Sequence, residues 1–132
     1  MTLALPDTSV WARRGQPDVA SALADAIEAD EIVVTQPVLL ELLRSARDRR
    51  ELEVDAIRYS FLRNVPMSRR VERRARGVQV SLARRGYHRG PSAVDLLAAA
   101  AAESVDAELW HCDRHFELIA EVTGQPMRRL GT

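Results

Sequence analysis

The stretch Ile32-Val33-Val34-Thr35-Gln36-Pro37-Val38-Leu39-Leu40-Glu41-Leu42-Leu43 decides the fold class. Its first three residues are β-branched and uniformly apolar, as in a short strand buried within a sheet. Thr35 is a good helix N-cap, and behind it Val38, Leu39, Leu42, Leu43 and Ala46 recur at helical spacing. A buried strand leading straight into an amphipathic helix is the unit from which α/β proteins are built.

The same alternation extends in both directions. Upstream, the apolar run over residues 2–6 stops at Asp7-Thr8-Ser9, a strand ending in a polar turn or helix cap. Pro6 lacks a ladder donor, so a central strand admits it only as its last residue or in a bulge. Over residues 17–29, Val19, Leu23, Ala26 and Ile27 mark an amphipathic helix with Pro17 near its first turn. Downstream, residues 51–62 fit a strand through Leu52, Val54 and Ala56 and a helix through Val54, Ile57 and Phe61, and length favours the helix. Ser68 caps a helix whose apolar stripe is Val71, Ala75, Val78 and Leu82, with Arg69, Arg73, Arg76 and Arg84 on a different face and Gly86 placed to end it. Residues 87–91 read as a loop. Ser92 opens an alanine-rich helix to about Ser104, residues 109–112 form a strand ending at Asp113, and a helix runs to about Val122. Gly124 stops that helix before a short last strand near residues 126–130. The pattern predicts one α/β domain over residues 1–132, a short parallel sheet flanked by helices on both faces and joined by right-handed crossovers.

Composition agrees. Leu, Ile, Val and Phe supply 34 of 132 residues, well above the ~20% below which chains tend to stay disordered. The longest apolar run, residues 96–102, falls far short of the ~18 residues that span a bilayer, and no basic region followed by an apolar stretch opens the chain, so a membrane or secreted protein is not expected. A lone Cys112 offers neither an intrachain disulfide nor a multi-cysteine zinc site and fits a reducing, cytoplasmic setting. The formal net charge of zero conceals a division: between Arg44 and Arg89 there are 14 arginines against five acids, a local balance of +9, and the remainder carries −9. A basic middle flanked by acidic ends points to a polyanion-facing surface beside an acidic site.

In an open parallel sheet, sites form at the carboxyl ends of the strands. Asp7 ends the first predicted strand, Asp113 ends the one after the alanine helix, Glu41 lies in the helix after the second strand, and Asp95 opens the helix after the loop. Glu41 and Asp95 are embedded in apolar stretches and are expected to be at least partly desolvated. Converging carboxylates repel unless a hard divalent cation sits among them, and oxygen-only ligation suits Mg²⁺ or Mn²⁺. Each acid also has an ordinary role open to it. Asp7 and Asp113 can cap helices, Asp95 can complete a capping box begun by Ser92, and Glu41 can pair with an arginine.

The ordered set Leu3-Ala4-Leu5-Pro6-Asp7-Thr8-Ser9-Val10, Pro37-Val38-Leu39-Leu40-Glu41-Leu42, Ser92-Ala93-Val94-Asp95-Leu96-Leu97 and Leu109-Trp110-His111-Cys112-Asp113-Arg114-His115-Phe116 resembles the PIN-domain ribonucleases, most of all the VapC-type toxins of bacterial toxin–antitoxin pairs. The resemblance covers nearly the whole chain. It implies that Asp7, Glu41, Asp95 and Asp113 are catalytic, metal-binding acids, with Thr8 or Ser9 as a hydroxyl that orients them. It further implies phosphodiester hydrolysis assisted by Mg²⁺ or Mn²⁺, a structured RNA substrate such as tRNA, a homodimer, and an antitoxin covering the acidic pocket. Two positions depart from the family pattern. Pro6 replaces an aliphatic residue, and His115 stands where many relatives carry another aspartate, so one metal held chiefly by Asp7, Asp95 and Asp113 is expected, with Glu41 reaching it directly or through water, and a second that is weak or filled only by substrate.

Other chemistries are weaker. His111 and His115 have the spacing of a zinc-hydrolase helix, but Cys112 occupies the place of that motif's glutamate. Ser9 stands where an aspartyl-phosphate phosphatase carries its second acid. A non-catalytic module binding RNA or an acidic protein through residues 44–89 is the alternative from another class. Arg73 and Arg76 are the residues chosen there for RNA contact, against a plain solvated helix face.

Overall fold

The structure, a computed structural model, describes residues 2–132. Five short strands, β1 (Ala4–Pro6), β2 (Val33–Val34), β3 (Arg63–Asn64), β4 (Glu108–His111) and β5 (Met127–Arg129), alternate with seven helices among the described residues. These are α1 (Thr8–Trp11), α2 (Pro17–Glu28), α3 (Gln36–Leu43), α4 (Arg49–Tyr59), α5 (Arg69–Ala83), α6 (Ala93–Ser104) and α7 (Arg114–Thr123). All strand pairs are parallel. β4 lies between β1 and β5, with Leu5 opposite Leu109 and Trp110 opposite Arg128. β2 pairs with β3, and a single bridge between Ala4 and Ile32 joins the two halves. The lateral order is therefore β3-β2-β1-β4-β5, and the carboxyl ends of β1, β2 and β4 open on one edge.

Leu5, Val34 and Leu109 from the sheet and Val10, Val38, Phe116 and Ile119 from the helices are completely or almost completely buried. Each such side chain contributes about 1.5–3 kcal/mol by leaving water. In α6, Ala98 to Ala102 are all buried. Their small side chains allow α5 and α7 to pack on this helix while it also contacts β1 and β4.

Pro6 is the last residue of β1, where its missing donor costs the ladder nothing further on. Ser68 caps α5 through its hydroxyl. Beyond the helix, Gly86 at φ 77° turns the chain, with its N–H bonded to Ala83 and that of Tyr87 to Leu82. β3 has no sequence signature, since Arg63 and Asn64 are both exposed polar residues whose only strand character is their pairing with β2. α4 forms as the length of its segment predicts, yet it buries only Tyr59. Val54 and Ile57 remain exposed, as does Phe61 just beyond the helix at 84%.

Candidate metal centre

Three of the four acids begin helices. Asp7 caps α1, its Oδ2 accepting the Ser9 N–H at 3.0 Å. Ser92 and Asp95 form a complete capping box on α6, the Asp95 Oδ2 accepting the Ser92 N–H at 2.8 Å while Ser92 Oγ accepts the Asp95 N–H at 3.1 Å. Asp113 caps α7, its Oδ1 accepting the His115 N–H at 2.9 Å. Capping and metal binding are therefore compatible roles, because each of these caps occupies one carboxylate oxygen and leaves the other. For Asp7 that second oxygen, Oδ1, is buried without any hydrogen-bond partner.

Asp7 is 3% exposed and Asp95 8%. Burial pushes the Asp7 carboxyl above its ordinary range, opposed by hydrogen bonds from Ser9 and Thr8 and reinforced by the charge of Glu41. Burial likewise raises Asp95, and the charges of Asp7 and Asp113 add to it against the hydrogen bonds from Ser92. Glu41, Asp7, Asp95 and Asp113 thus form a chain of like charges that feel one another. Asp95, Asp113 and His115 go further, offering donor atoms that all lie within 4.8 Å of one another. His115 Nδ1 is 3.5 Å from Asp113 Oδ1.

Neighbouring hydroxyls complete the edge. Ser9 Oγ accepts the Cys112 N–H at 2.9 Å, tying the start of α1 to the end of β4. Thr8 Oγ1 and Thr35 Oγ1 are buried and unpartnered. Thr35 does occupy the N-cap position of α3, but its side chain makes no capping bond. Its place at the carboxyl end of β2, beside that of β1, was the available signal that it belongs to this edge.

Glu41 corrects one expectation: it is exposed, not desolvated. The apolar stretch around it is longer than one helix face, so Val38, Leu39 and Leu42 turn to the core while Leu40, at 66%, and Glu41 turn outward. Its charge nevertheless reaches Asp7. The zinc-helix spacing of His111 and His115 is also not realised, because His111 ends β4 and His115 lies in the first turn of α7. His111 Nδ1 accepts the Asp113 N–H at 3.2 Å, and burial lowers the imidazole's pKa. Cys112 is buried and free. On α5, Arg74 is held by Glu103 at 2.6 Å, whereas Arg73 and Arg76 are exposed and form no ion pair among the described residues. A cavity of about 500 Å³, lined by Tyr87, Gly90, Arg114, His115 and Leu118 among others, shares His115 with the acidic cluster.

A divalent cation fits this donor set. It would offset the burial, and the like charges behind it, that raise Asp7 and Asp95, and it would partner Asp7 Oδ1, although Asp7 and Glu41 stand outside the trio of donor atoms grouped within 4.8 Å. Carboxylates and hydroxyls suit a hard ion.

A parallel α/β fold with carboxylates at the strand ends defines the class, and the chain belongs to the PIN-domain family, whose sequence profile matches residues 4–122. Within that family it is 35% identical to Ribonuclease VapC18 of Mycobacterium tuberculosis H37Rv over 122 residues, covering 91% of this chain and 89% of the relative. It is 39% identical to Ribonuclease VapC51 of the same strain, again over 122 residues, covering 92% and 88%. Among solved structures, VapBC2 from Rickettsia felis bound to a promoter DNA fragment superposes with a TM-score of 0.80 at 17% identity, covering 98% of this chain and 100% of that one. Mycobacterium tuberculosis VapC20, described as a sarcin-ricin loop cleaving toxin, gives a TM-score of 0.58 at 23% identity, covering 86% and 92%. At these identities the structural neighbours establish the fold.

Proposed function

We propose that this protein is a metal-dependent endoribonuclease, the toxin of a toxin–antitoxin pair, with Asp7, Glu41, Asp95 and Asp113 as its catalytic acids and Mg²⁺ or Mn²⁺ as its cofactor. The observation that carries the reading is the buried, unpartnered Asp7 Oδ1 in a group of mutually repelling carboxylates, an arrangement that folding alone does not reward. The relatives at 35–39% identity, named as ribonucleases, supply the substrate class. A bound divalent ion would supply Lewis acidity, activating water and offsetting charge on the phosphate. The chain's own part is to hold the ion through Asp7, Asp95 and Asp113 and to keep their orientation through Ser9 and the helix caps. Glu41, on the exposed side, would reach the ion directly or through water.

The unpaired guanidinium groups of Arg73 and Arg76 are the residues assigned to RNA phosphates, which the acids alone would repel. Structured RNA such as tRNA is the substrate, the protein acts as a single-domain homodimer in the cytoplasm, and the cognate antitoxin is its regulatory partner. Support for that partner comes from neighbours described as toxin–antitoxin assemblies, such as a toxin–antitoxin complex from Klebsiella pneumoniae with a TM-score of 0.70. The exposed Leu40, Ile57 and Phe61 on and just beyond α3 and α4 are apolar side chains of the kind a partner covers. No helix among the described residues is long and apolar enough to cross a membrane.

Purified protein incubated with total RNA tests the reading. Cleavage is expected with Mg²⁺ or Mn²⁺ and not in excess EDTA, and Asp95→Asn, which preserves the capping box but not the charge, is expected to abolish it. Cleavage by Asp95→Asn at the wild-type rate in EDTA would overturn the assignment. A non-catalytic RNA-binding module would instead bind RNA without cutting it and show no saturable Mn²⁺ site.

A further inference from the structure

His115, in the first turn of α7, is drawn into the acidic cluster. We propose that His115 ligates the divalent ion through its imidazole, so that this chain holds a mixed nitrogen–oxygen centre that retains Mn²⁺ in preference to Mg²⁺. The inference rests on the metal-dependent reading of the acidic edge given above.

Geometry comes first. Donor atoms of Asp95, Asp113 and His115 lie within 4.8 Å of one another, a little beyond the roughly 4.4 Å that separates opposite ligands of one ion at bond lengths of about 2.2 Å, so a small side-chain adjustment brings all three onto one cation. His115 Nδ1 and Asp113 Oδ1, 3.5 Å apart, are at the outer limit of a hydrogen bond and close to the separation of adjacent ligands on a common cation. The His115 backbone is fixed by its N–H on Asp113 Oδ1 in the first turn of α7, and the Cδ2 edge of the ring faces Gly90, where an added Cβ would stand 3.4 Å away. The His115 imidazole makes no hydrogen bond among the described residues, and it is only partly exposed. The other nearby imidazole is committed elsewhere, with His111 Nδ1 accepting the Asp113 N–H.

A second observation lies at the same sheet edge. Asp7, 97% buried at the carboxyl end of β1, the strand next to β4, leaves Oδ1 without a partner. Asp7 stands outside the trio of grouped donor atoms, and it is the buried, unsatisfied oxygen beside them that a cation would partner.

The choice of ion follows from donor chemistry. Mg²⁺ is hard, demands near-ideal octahedral oxygen ligation and gives up water reluctantly, whereas imidazole is a borderline donor that suits transition metals. An imidazole in the ligand set adds a donor that Mn²⁺ uses better than Mg²⁺.

The test uses the full-length protein prepared metal-free and titrated with MnCl₂, followed by electron paramagnetic resonance, with MgCl₂ as competitor. Nitrogen modulation from a directly bound imidazole is expected in the Mn²⁺ spin-echo spectrum, and it should change frequency when the protein is labelled with ¹⁵N-histidine, a result that needs no variant. In His115→Asp, checked for folding by circular dichroism, the modulation is expected to disappear and the Mn²⁺-over-Mg²⁺ preference to fall roughly 10-fold or more, the scale on which ligand-shell changes alter metal affinity. Saturable Mn²⁺ binding without a nitrogen signal, or a signal that survives in His115→Asp, overturns the inference and leaves the metal-dependent reading intact. Absence of any saturable Mn²⁺ binding by the wild type overturns that reading itself.

Discussion

Replacing Asp7 by asparagine is expected to make the metal-free protein more stable. The carboxylate is 3% exposed, one oxygen has no partner, and burial and the Glu41 charge both oppose its ionised form. An uncompensated buried acceptor costs about 1–3 kcal/mol. Asparagine keeps an oxygen for the Ser9 N–H, so the α1 cap survives, and it removes the negative charge that burial and Glu41 oppose. Recovering about 1–3 kcal/mol corresponds to a rise in melting temperature of roughly 4–12 °C for a chain of this size. The order reverses when metal is added. Wild type at MnCl₂ concentrations 100-fold above Kd gains about 2.7 kcal/mol, whereas the variant, having lost a ligand, gains little. Scanning calorimetry of both proteins in EDTA and in MnCl₂ reads the crossover. Asp7→Ala serves as control, because it removes the cap as well and forfeits about 1 kcal/mol. If Asp7→Asn melts below wild type in EDTA and retains the full MnCl₂ gain, Asp7 is a plain structural cap and the reasoning is refuted.

Metal-free stability should also fall as pH rises. Asp7 and Asp95 hold their protons more tightly folded than unfolded, so their contribution is full below the ordinary carboxyl value of 3.8 and is lost as pH climbs through the raised folded-state values. Urea titrations from pH 4 to 8 in EDTA check this, and the slope should shrink in Asp7→Asn. Replacing Arg73 and Arg76 together with glutamine should weaken RNA binding and flatten the dependence of log K on log salt by about 1.4 for two lost single-strand phosphate contacts. An unchanged slope would return both residues to the solvated face of α5.

The alternation of strand and helix was legible because buried parallel strands and one-sided helices leave unmistakable apolar patterns, as in residues 32–43 and in the alanine run of α6. β3 was not legible, since Arg63 and Asn64 owe their extended pairing to β2 and carry no pattern of their own. The acids at the strand ends could be found from sequence, yet whether they cap helices or gather at an ion could not be decided by spacing. In three dimensions Asp7, Asp95 and Asp113 each cap with one oxygen and leave the other. Glu41 was misjudged for a general reason: an apolar neighbourhood in sequence surrounds a helical residue on all sides, while in space only one face is covered. His115 was visible as a departure in charge, but its donor role depends on the turn from β4 into α7, which brings residues 113 and 115 to the same side as Asp95.

The sheet is unevenly stitched. Between β1 and β4 three residues on each strand face one another, but between β1 and the β2–β3 pair the backbone connection narrows to the Ala4–Ile32 bridge, with the Ala4 N–H bonded to the Glu31 carbonyl. Asp7, Asp95 and Asp113 belong to the densely connected half or to helices packed on it, whereas Glu41 lies on α3, which follows β2 and is joined to that half by its contacts with α1 and α6. Sliding the β2–β3 pair past β1 breaks one bridge, and sliding β4 breaks a whole ladder. The backbone thus ties the two halves weakly, and the packing of α3 on α1 and α6 is what holds Glu41 in place relative to the three aspartates.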